Sequence, residues 1–202
     1  MYRYFIINKP YDMVSQFISP DKVHLLGELD FDFPEGTHAI GRLDNHSEGL
    51  LILTTNKKVT KLLFEGEQPH KRTYLVMVRG EVTAETLEQL RNGVTIKIKD
   101  NKDYVTTPVE AHIVERPANM YPRAHDLSDH VSRTWMTITL TEGKFHQVRK
   151  MCAAVGHQCK RLIRISIEDL LLGDMQPGEV KELAEEEFFR LLHIKNYAEI
   201  VE

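Results

Sequence analysis

The chain has 202 residues, ordinary apolar, aromatic and charged fractions, and a formal net charge of −4. That length supports one substantial core in one or at most two compact domains, and the charge argues against a simple nucleic-acid binder. No apolar run approaches a membrane span, no secretory signal opens the chain, and the two cysteines, Cys152 and Cys159, fit a reduced, cytoplasmic setting.

The first segment, "RYFIINKP", has the alternating pattern of a strand and stops at Pro10, which cannot donate to a ladder. A polar loop punctuated by Pro20, Pro34 and Gly36 follows. Two strands, "HAIG" and "GLLILTT", then flank a polar cluster. "NKKVTKLLFEGE" is expected to be a short helix, capped by Asn56 and closed by Gly66, with Val59, Leu62 and Leu63 at helical spacing. "RTYLVMVRGEV" is apolar on both faces, as in a central strand. "TAETLEQLRNG" has Thr83 as cap, Leu87 and Leu90 inward and Gly93 at its end.

"VTIKIKD" alternates, with Val94, Ile96 and Ile98 inward, and "NKD" is expected to turn it into a partner strand, "TPVEAHIVE". "RPANMYPRAHDLSDHVSR" has no periodicity and reads as loop. "TWMTITL" is a strand. "KFHQVRKMCAAVG" is a helix whose stripe of Phe145, Val148, Met151, Cys152 and Val155 ends at Gly156. "CKRLIRISI" is a further strand, and "EVKELAEEEFFRLLHI" closes the chain as an acidic helix. Hairpins mixed with helices give an α+β class with a mainly antiparallel sheet. Strict strand–helix alternation and a glycine-rich first turn are both missing, which excludes a doubly wound nucleotide fold.

Charge is unevenly spread. Glu179, Glu182, Glu185, Glu186, Glu187, Glu199 and Glu202 against Lys181, Arg190 and Lys195 account for the whole net charge. Between Thr141 and Arg164 the sign reverses, with Lys144, Arg149, Lys150, Lys160, Arg161 and Arg164 against Glu142. A solvated face is the ordinary meaning of such a run, but a basic patch on an acidic protein also permits a polyanionic partner.

The candidate chemistry lies where polarity intrudes on apolar structure. Arg42, Asp44, Asn45, His46, Ser47 and Glu48 crowd one connection between two strands. Tyr74 begins an otherwise buried strand, and Arg149 sits on the amphipathic helix. Taken singly, each has a plain explanation: Asp44 as a turn residue, Tyr74 as a half-buried strand aromatic, Arg149 as a surface cation. Cys152, Cys159, His146 and His157 match no structural zinc spacing, and no serine sits in a nucleophile elbow.

Together, "GRLDNHSEGLLILTTN", "KRTYLVMVRG" and "EGKFHQVRKMCAAVGH" resemble, in order, three motifs of the RsuA-type bacterial rRNA pseudouridine synthases, and "INKPYDMVSQ" is similar to the family's leading Lys-Pro element. The resemblance implies an α+β fold with a central, mainly antiparallel mixed sheet, flanking helices and a catalytic cleft. It implies one catalytic domain over residues 1–202, built of two closely packed subdomains. Typical members open with a small RNA-binding domain; here catalytic sequence starts at residue 1, and none is expected. The interior from Glu115 to Leu140 resembles members that act on 23S rRNA, implying one uridine in the peptidyl-transferase region.

By that resemblance Asp44 is the essential carboxylate, nucleophile at the sugar or base in forming a glycal. Arg149 would pair with it, and Tyr74 would stack on the base and assist deprotonation at C5. Leu162, with Ile163 as the alternative, would pack the other ring face. Arg42, His46, Lys9, Lys150, Lys160 and Arg161 are candidates for meeting the RNA, whose target base must be flipped out. No metal or cofactor is expected. The expected partner is 23S rRNA or a large-subunit precursor, with no membrane, and the protein is expected to be a monomer. A catalytically silent RNA-binding or assembly factor on the same fold, and more remotely a metal-free hydrolase using Asp44 and His46, remain the alternatives.

Overall fold

The computed structural model describes residues 1–64, 69–123, 130–195 and 197. In chain order the elements are β1 (Tyr4–Lys9), β2 (His38–Ile40), β3 (Glu48–Thr54), α1 (Val59–Phe64), β4 (Arg72–Arg79), α2 (Ala84–Asn92), β5 (Thr95–Lys97), β6 (Asp103–Val105) and β7 (Glu110–Val114). They continue as β8 (Arg133–Leu140), α3 (Gln147–Ala154), β9 (Cys159–Ile167), β10 (Leu170–Leu171), β11 (Val180–Leu183) and α4 (Glu185–Leu191). The chain forms two compact units, Met1–His70 with Arg164–Glu202, and Lys71–Ile163. The α+β class holds, and each strand ladder described below is antiparallel. Among the described residues no helix is long and apolar enough to cross a membrane.

In the first unit β1 lies between β11 and β3, and β2 also pairs with β3. All six residues of β1 and all seven of β3 are buried. So β1 is covered on both faces rather than alternating, as a central strand should be. Asn56 stands three residues before α1, and its Oδ1 accepts from Lys58 N at 3.0 Å in the turn that leads into the helix. Gly66, the expected stop, lies outside the described residues. The expected C-terminal helix is corrected. Its first half is strand β11, because Val180–Leu183 completes the ladder along β1 with Tyr4 opposite Leu183. The helix proper starts at Glu185, and Tyr4 fastens it: its ring stacks on Phe188 at 4.6 Å and its hydroxyl donates to Glu185.

In the second unit β8 lies between β4 and β7. Thr83 caps α2 by accepting from Thr86 N at 3.2 Å, and Gly93 ends it at φ 90°. No other residue suits Gly93, since a Cβ there would lie 2.3 Å from the Thr106 carbonyl oxygen. The partner of β5 is not the "TPVEAHIVE" segment but β6. The turn of Asp100 and Asn101, both at positive φ, closes that hairpin early and frees Glu110–Val114 to pair with β8. The core gathers Val76, Val78, Leu87, Leu90, Met136, Ile138, Val148, Met151, Cys152 and Leu162. Phe145 is not part of it: α3 starts two residues later than the stripe implied, and the ring is 72% exposed.

The loop between β2 and β3 is fixed from three separate parts of the first unit. Ser15 Oγ donates to Leu43 O at 2.8 Å and accepts from Leu43 N at 3.0 Å. Arg164, 2% exposed, donates from Nε to Leu50 O and from Nη2 to Gly41 O, each at 2.8 Å. Lys9, fully buried, donates from Nζ to the carbonyls of Pro10, Met13 and Asn45. Burial pulls the Lys9 ammonium down to about 7, while the carboxylates of Glu48, Asp44 and Asp12 oppose that pull.

The sign of the resulting pH dependence follows from the folded value lying below the ordinary 10.5. Above about 7 the folded chain releases a proton that the unfolded chain keeps, so unfolding takes one up and stability rises with pH across that window. Lys9→Met removes the group. The unfolding free energy of the wild type, measured in urea relative to Lys9→Met, should therefore climb between about pH 6 and about pH 9. A difference that stays flat across that range would count against a Lys9 depressed by burial.

Candidate active site

Asp44 stands half-buried at the start of a turn whose hydrogen bond runs from Ser47 N to Asp44 O at 3.0 Å. The turn reading of this aspartate is therefore correct for its backbone. Its neighbours show that it is not the whole account. Ser47 and Glu48 are buried, while Arg42 and His46 are exposed. His46 stacks on Tyr11, with ring centroids 5.2 Å apart at 23°, and its Nε2 lies 3.8 Å from Asp12 Oδ1. Asn45 Nδ2 donates to the same Asp12 oxygen at 3.0 Å. One short stretch thus carries a partly exposed carboxylate, an exposed guanidinium and an aromatic–imidazole stack on a backbone pinned at Gly41, Leu43, Asn45 and Leu50.

Lys9 takes a different place from the one the sequence suggested. It cannot meet a substrate from a fully buried position with its donors committed to three carbonyls. Its role is to hold the Asn45 backbone, one residue from Asp44. Ser15 and Arg164 do equivalent work, and periodicity gives no warning of either. The only hint for Arg164 is an arginine inside the apolar run "RLIRISI".

The second unit holds Tyr74, Arg149, Leu162, Lys150, Lys160 and Arg161. Tyr74 lies on β4 opposite Ile138, half-exposed, with its inner side against the core. Leu162 belongs to that core and is 5% exposed. Arg149 follows buried Val148 on α3, and its Nη1 reaches Cys159 Sγ at 3.9 Å. The Cys152 thiol first, then the Arg149 and Arg123 guanidinium groups, pull Cys159 down. Cys152 is buried core, as its place on the helix stripe implied. Among the described residues no group of three or more His, Cys, Asp or Glu is placed to hold a metal ion.

The basic run between Thr141 and Arg164 is not one face. Arg161, 1% exposed, donates from Nη1 to Tyr121 O at 3.0 Å, with its guanidinium 4.7 Å from the centre of the Tyr121 ring. It is therefore withdrawn from the RNA-facing candidates, and Arg164, equally buried, drops out of the basic patch. A guanidinium that satisfies a backbone carbonyl and covers an aromatic ring is stable in the interior, and a count of charges along the chain cannot reveal that. Lys144 is exposed, and Arg149, Lys150 and Lys160 are half-buried, so the surface cations of this run are three lysines and Arg149.

The model of the RNA pseudouridylate synthase family matches residues 3–154. The ribosomal large subunit pseudouridine synthase E of Vibrio parahaemolyticus is 37% identical over 180 residues, 88% of this chain and 72% of that one. The ribosomal small subunit pseudouridine synthase A of Escherichia coli is 32% identical over 186 residues, 92% of this chain and 72% of that one. A crystal structure of a pseudouridylate synthase aligns with a TM-score of 0.76 at 25% identity, over 95% of this chain and 74% of that one. The two-unit α+β architecture and the ordered motifs thus have one explanation: the chain belongs to the RNA pseudouridylate synthase family.

Proposed function

We propose that the protein isomerises one uridine in the peptidyl-transferase region of 23S rRNA to pseudouridine, with Asp44 as the essential carboxylate. The reaction breaks the N1–C1′ bond, turns the uracil and joins C5 to C1′; the proton lost from C5 balances the one gained at N1. It needs no electron donor. It does need a carboxylate presented at a fixed position, either to bond with the sugar or to remove a proton from it. Tyr74 is assigned to the face of the uracil, Arg149 to keeping the aspartate ionised, and Leu162 to the apolar lining of the base site.

The observation that carries this reading is the Asp44 turn itself. A half-exposed carboxylate is held on a backbone pinned by Ser15, Lys9 and Arg164. A factor that only bound RNA would gain nothing from it, because a carboxylate beside phosphates repels them. The silent assembly factor is disfavoured on that ground. The choice of 23S rRNA rests on the large-subunit relative, which is more similar than the small-subunit one. Mapping pseudouridines in 16S and 23S rRNA with and without the protein tests it. A lost site in 16S rRNA would move the substrate while keeping the reaction.

With rRNA carrying tritium at uridine C5, the wild type should release label. Asp44→Asn should release none while melting and binding RNA as the wild type does, the amide being nearly isosteric. Turnover by pure Asp44→Asn protein would remove the mechanism.

Tyr74→Phe should keep measurable activity, and Tyr74→Leu should fall well below it, since stacking on an aromatic ring is worth roughly 1–3 kcal/mol per base. Equal activity in the two variants, read from kcat/KM for tritium release, would remove the stacking role.

A further inference from the structure

The turn that leads into α3 presents an aromatic ring to solvent on a rigid base. Phe145 is 72% exposed, and its ring stacks on His146 with centroids 3.8 Å apart at 18°. His146 is left-handed, at φ 55° and ψ 30°, a conformation that strains a non-glycine residue. That backbone puts Phe145 out of phase with Val148 and Met151 and turns its ring away from the core.

The exposure is built in rather than slack. Gln147, 4% exposed, accepts from Lys144 N at 2.8 Å and donates to Glu142 Oε1 at 2.7 Å. Glu142 also accepts from Thr107 N and from the Tyr104 hydroxyl. One cation lies on the ring, Lys150 Nζ at 5.4 Å from the Phe145 centroid, while Lys144 Nζ lies 4.6 Å from that of Tyr104. The one carboxylate of the turn, Glu142, has its oxygens occupied by these internal donors.

Resting on the proposed action on rRNA, we infer that Phe145 is a stacking platform for an unpaired base of the RNA substrate, with Lys144 and Lys150 meeting the adjoining phosphates. A base has the matching shape, because one ring extends the His146–Phe145 stack by one more layer. The area favours RNA over a protein. A single aromatic side chain can cover about 150–250 Å², whereas a stable protein interface needs above roughly 1,000 Å². The charge points the same way, since a lysine on the ring and a second, on Tyr104, one residue before Phe145 in the chain, suit a nucleotide, which is both flat and anionic.

The test measures Kd for a single-stranded rRNA fragment and kcat and KM for tritium release. Phe145→Ala should raise Kd and KM roughly 5- to 150-fold, with kcat at saturating RNA within about twofold. Phe145→Leu should behave like the alanine variant, and Phe145→Trp should bind at least as tightly as the wild type, with its new indole emission quenched by RNA. Lys144→Gln with Lys150→Gln should flatten the plot of log Kd against log salt by about 0.7 per lost phosphate contact. The ring is largely solvated, so melting temperatures check that each variant is folded. Unchanged Kd and KM for Phe145→Ala, in a protein whose wild type releases tritium, overturns the platform and leaves the proposed function standing. A wild type that releases no tritium but binds RNA through Phe145 overturns the function and keeps the platform. Self-association abolished by Phe145→Ala with RNA affinity unchanged also overturns the platform.

Discussion

A polar connection leading into a buried strand keeps one shape only if its carbonyl groups find donors without admitting water. The first unit solves this with two buried basic side chains. Arg164 joins the two ends of the loop by donating to Gly41 and Leu50, and Lys9 takes the middle by donating to Asn45. Each unmet buried carbonyl would cost about 1–3 kcal/mol, and stripping the partners from a buried charge costs more. The position of Asp44 is therefore set by groups far from it in sequence. Ser15 adds a reciprocal pair of hydrogen bonds to the Leu43 backbone, so the residue just before Asp44 is held at both its N–H and its carbonyl.

This arrangement shows what the chain could and could not announce. The strands around the loop, the Thr83 cap, the Gly93 stop and the Val148–Met151–Cys152 stripe all follow from local pattern, and all are present. The polar turn at Asp44 was legible for a different reason, because carboxylates and cations crowded between two apolar runs are conspicuous. What held it was not legible. Lys9 looks like the polar end of a strand, and Ser15 looks like any loop serine; only the tertiary fold aims them at Leu43 and Asn45. Strand β11 was missed for a related reason. "VKEL" continues into a helical sequence, and nothing local says that the edge of β1 needs a partner. The β5–β6 hairpin was missed because its turn relies on positive φ at Asp100 and Asn101, which a periodic pattern does not encode.

Charge misled where it was only counted. Arg161 and Arg164 looked like part of a basic face, yet both are buried and spend their donors on backbone carbonyls. The acidic end was equally ambiguous. Glu182 receives Arg3 on both carboxylate oxygens at 2.7 Å, and Glu185 accepts from Tyr4, so two of these acids serve the docking of β11 and α4 on β1. The exposed Arg3–Glu182 pair adds little stability by itself. Its value is positional, since it matches the register of Phe5 with Glu182. Glu199 and Glu202 lie outside the described residues.

A net charge of −4 then ceases to conflict with an RNA substrate. Attraction to a polyanion is governed within about one screening length, roughly 8–10 Å, so the local balance matters more than the sum. Each unit offers the same small device at its surface. In the first, His46 stacks on Tyr11 two residues from Asp44, with Arg42 exposed on the other side. In the second, His146 stacks on Phe145 beside Lys150, at the start of the helix that carries Arg149. A flat π face accepts any base, and a neighbouring cation accepts any phosphate, so neither device needs a long basic tract. Such a chain can keep its acids for folding and still present a few cations beside flat rings to a polyanion.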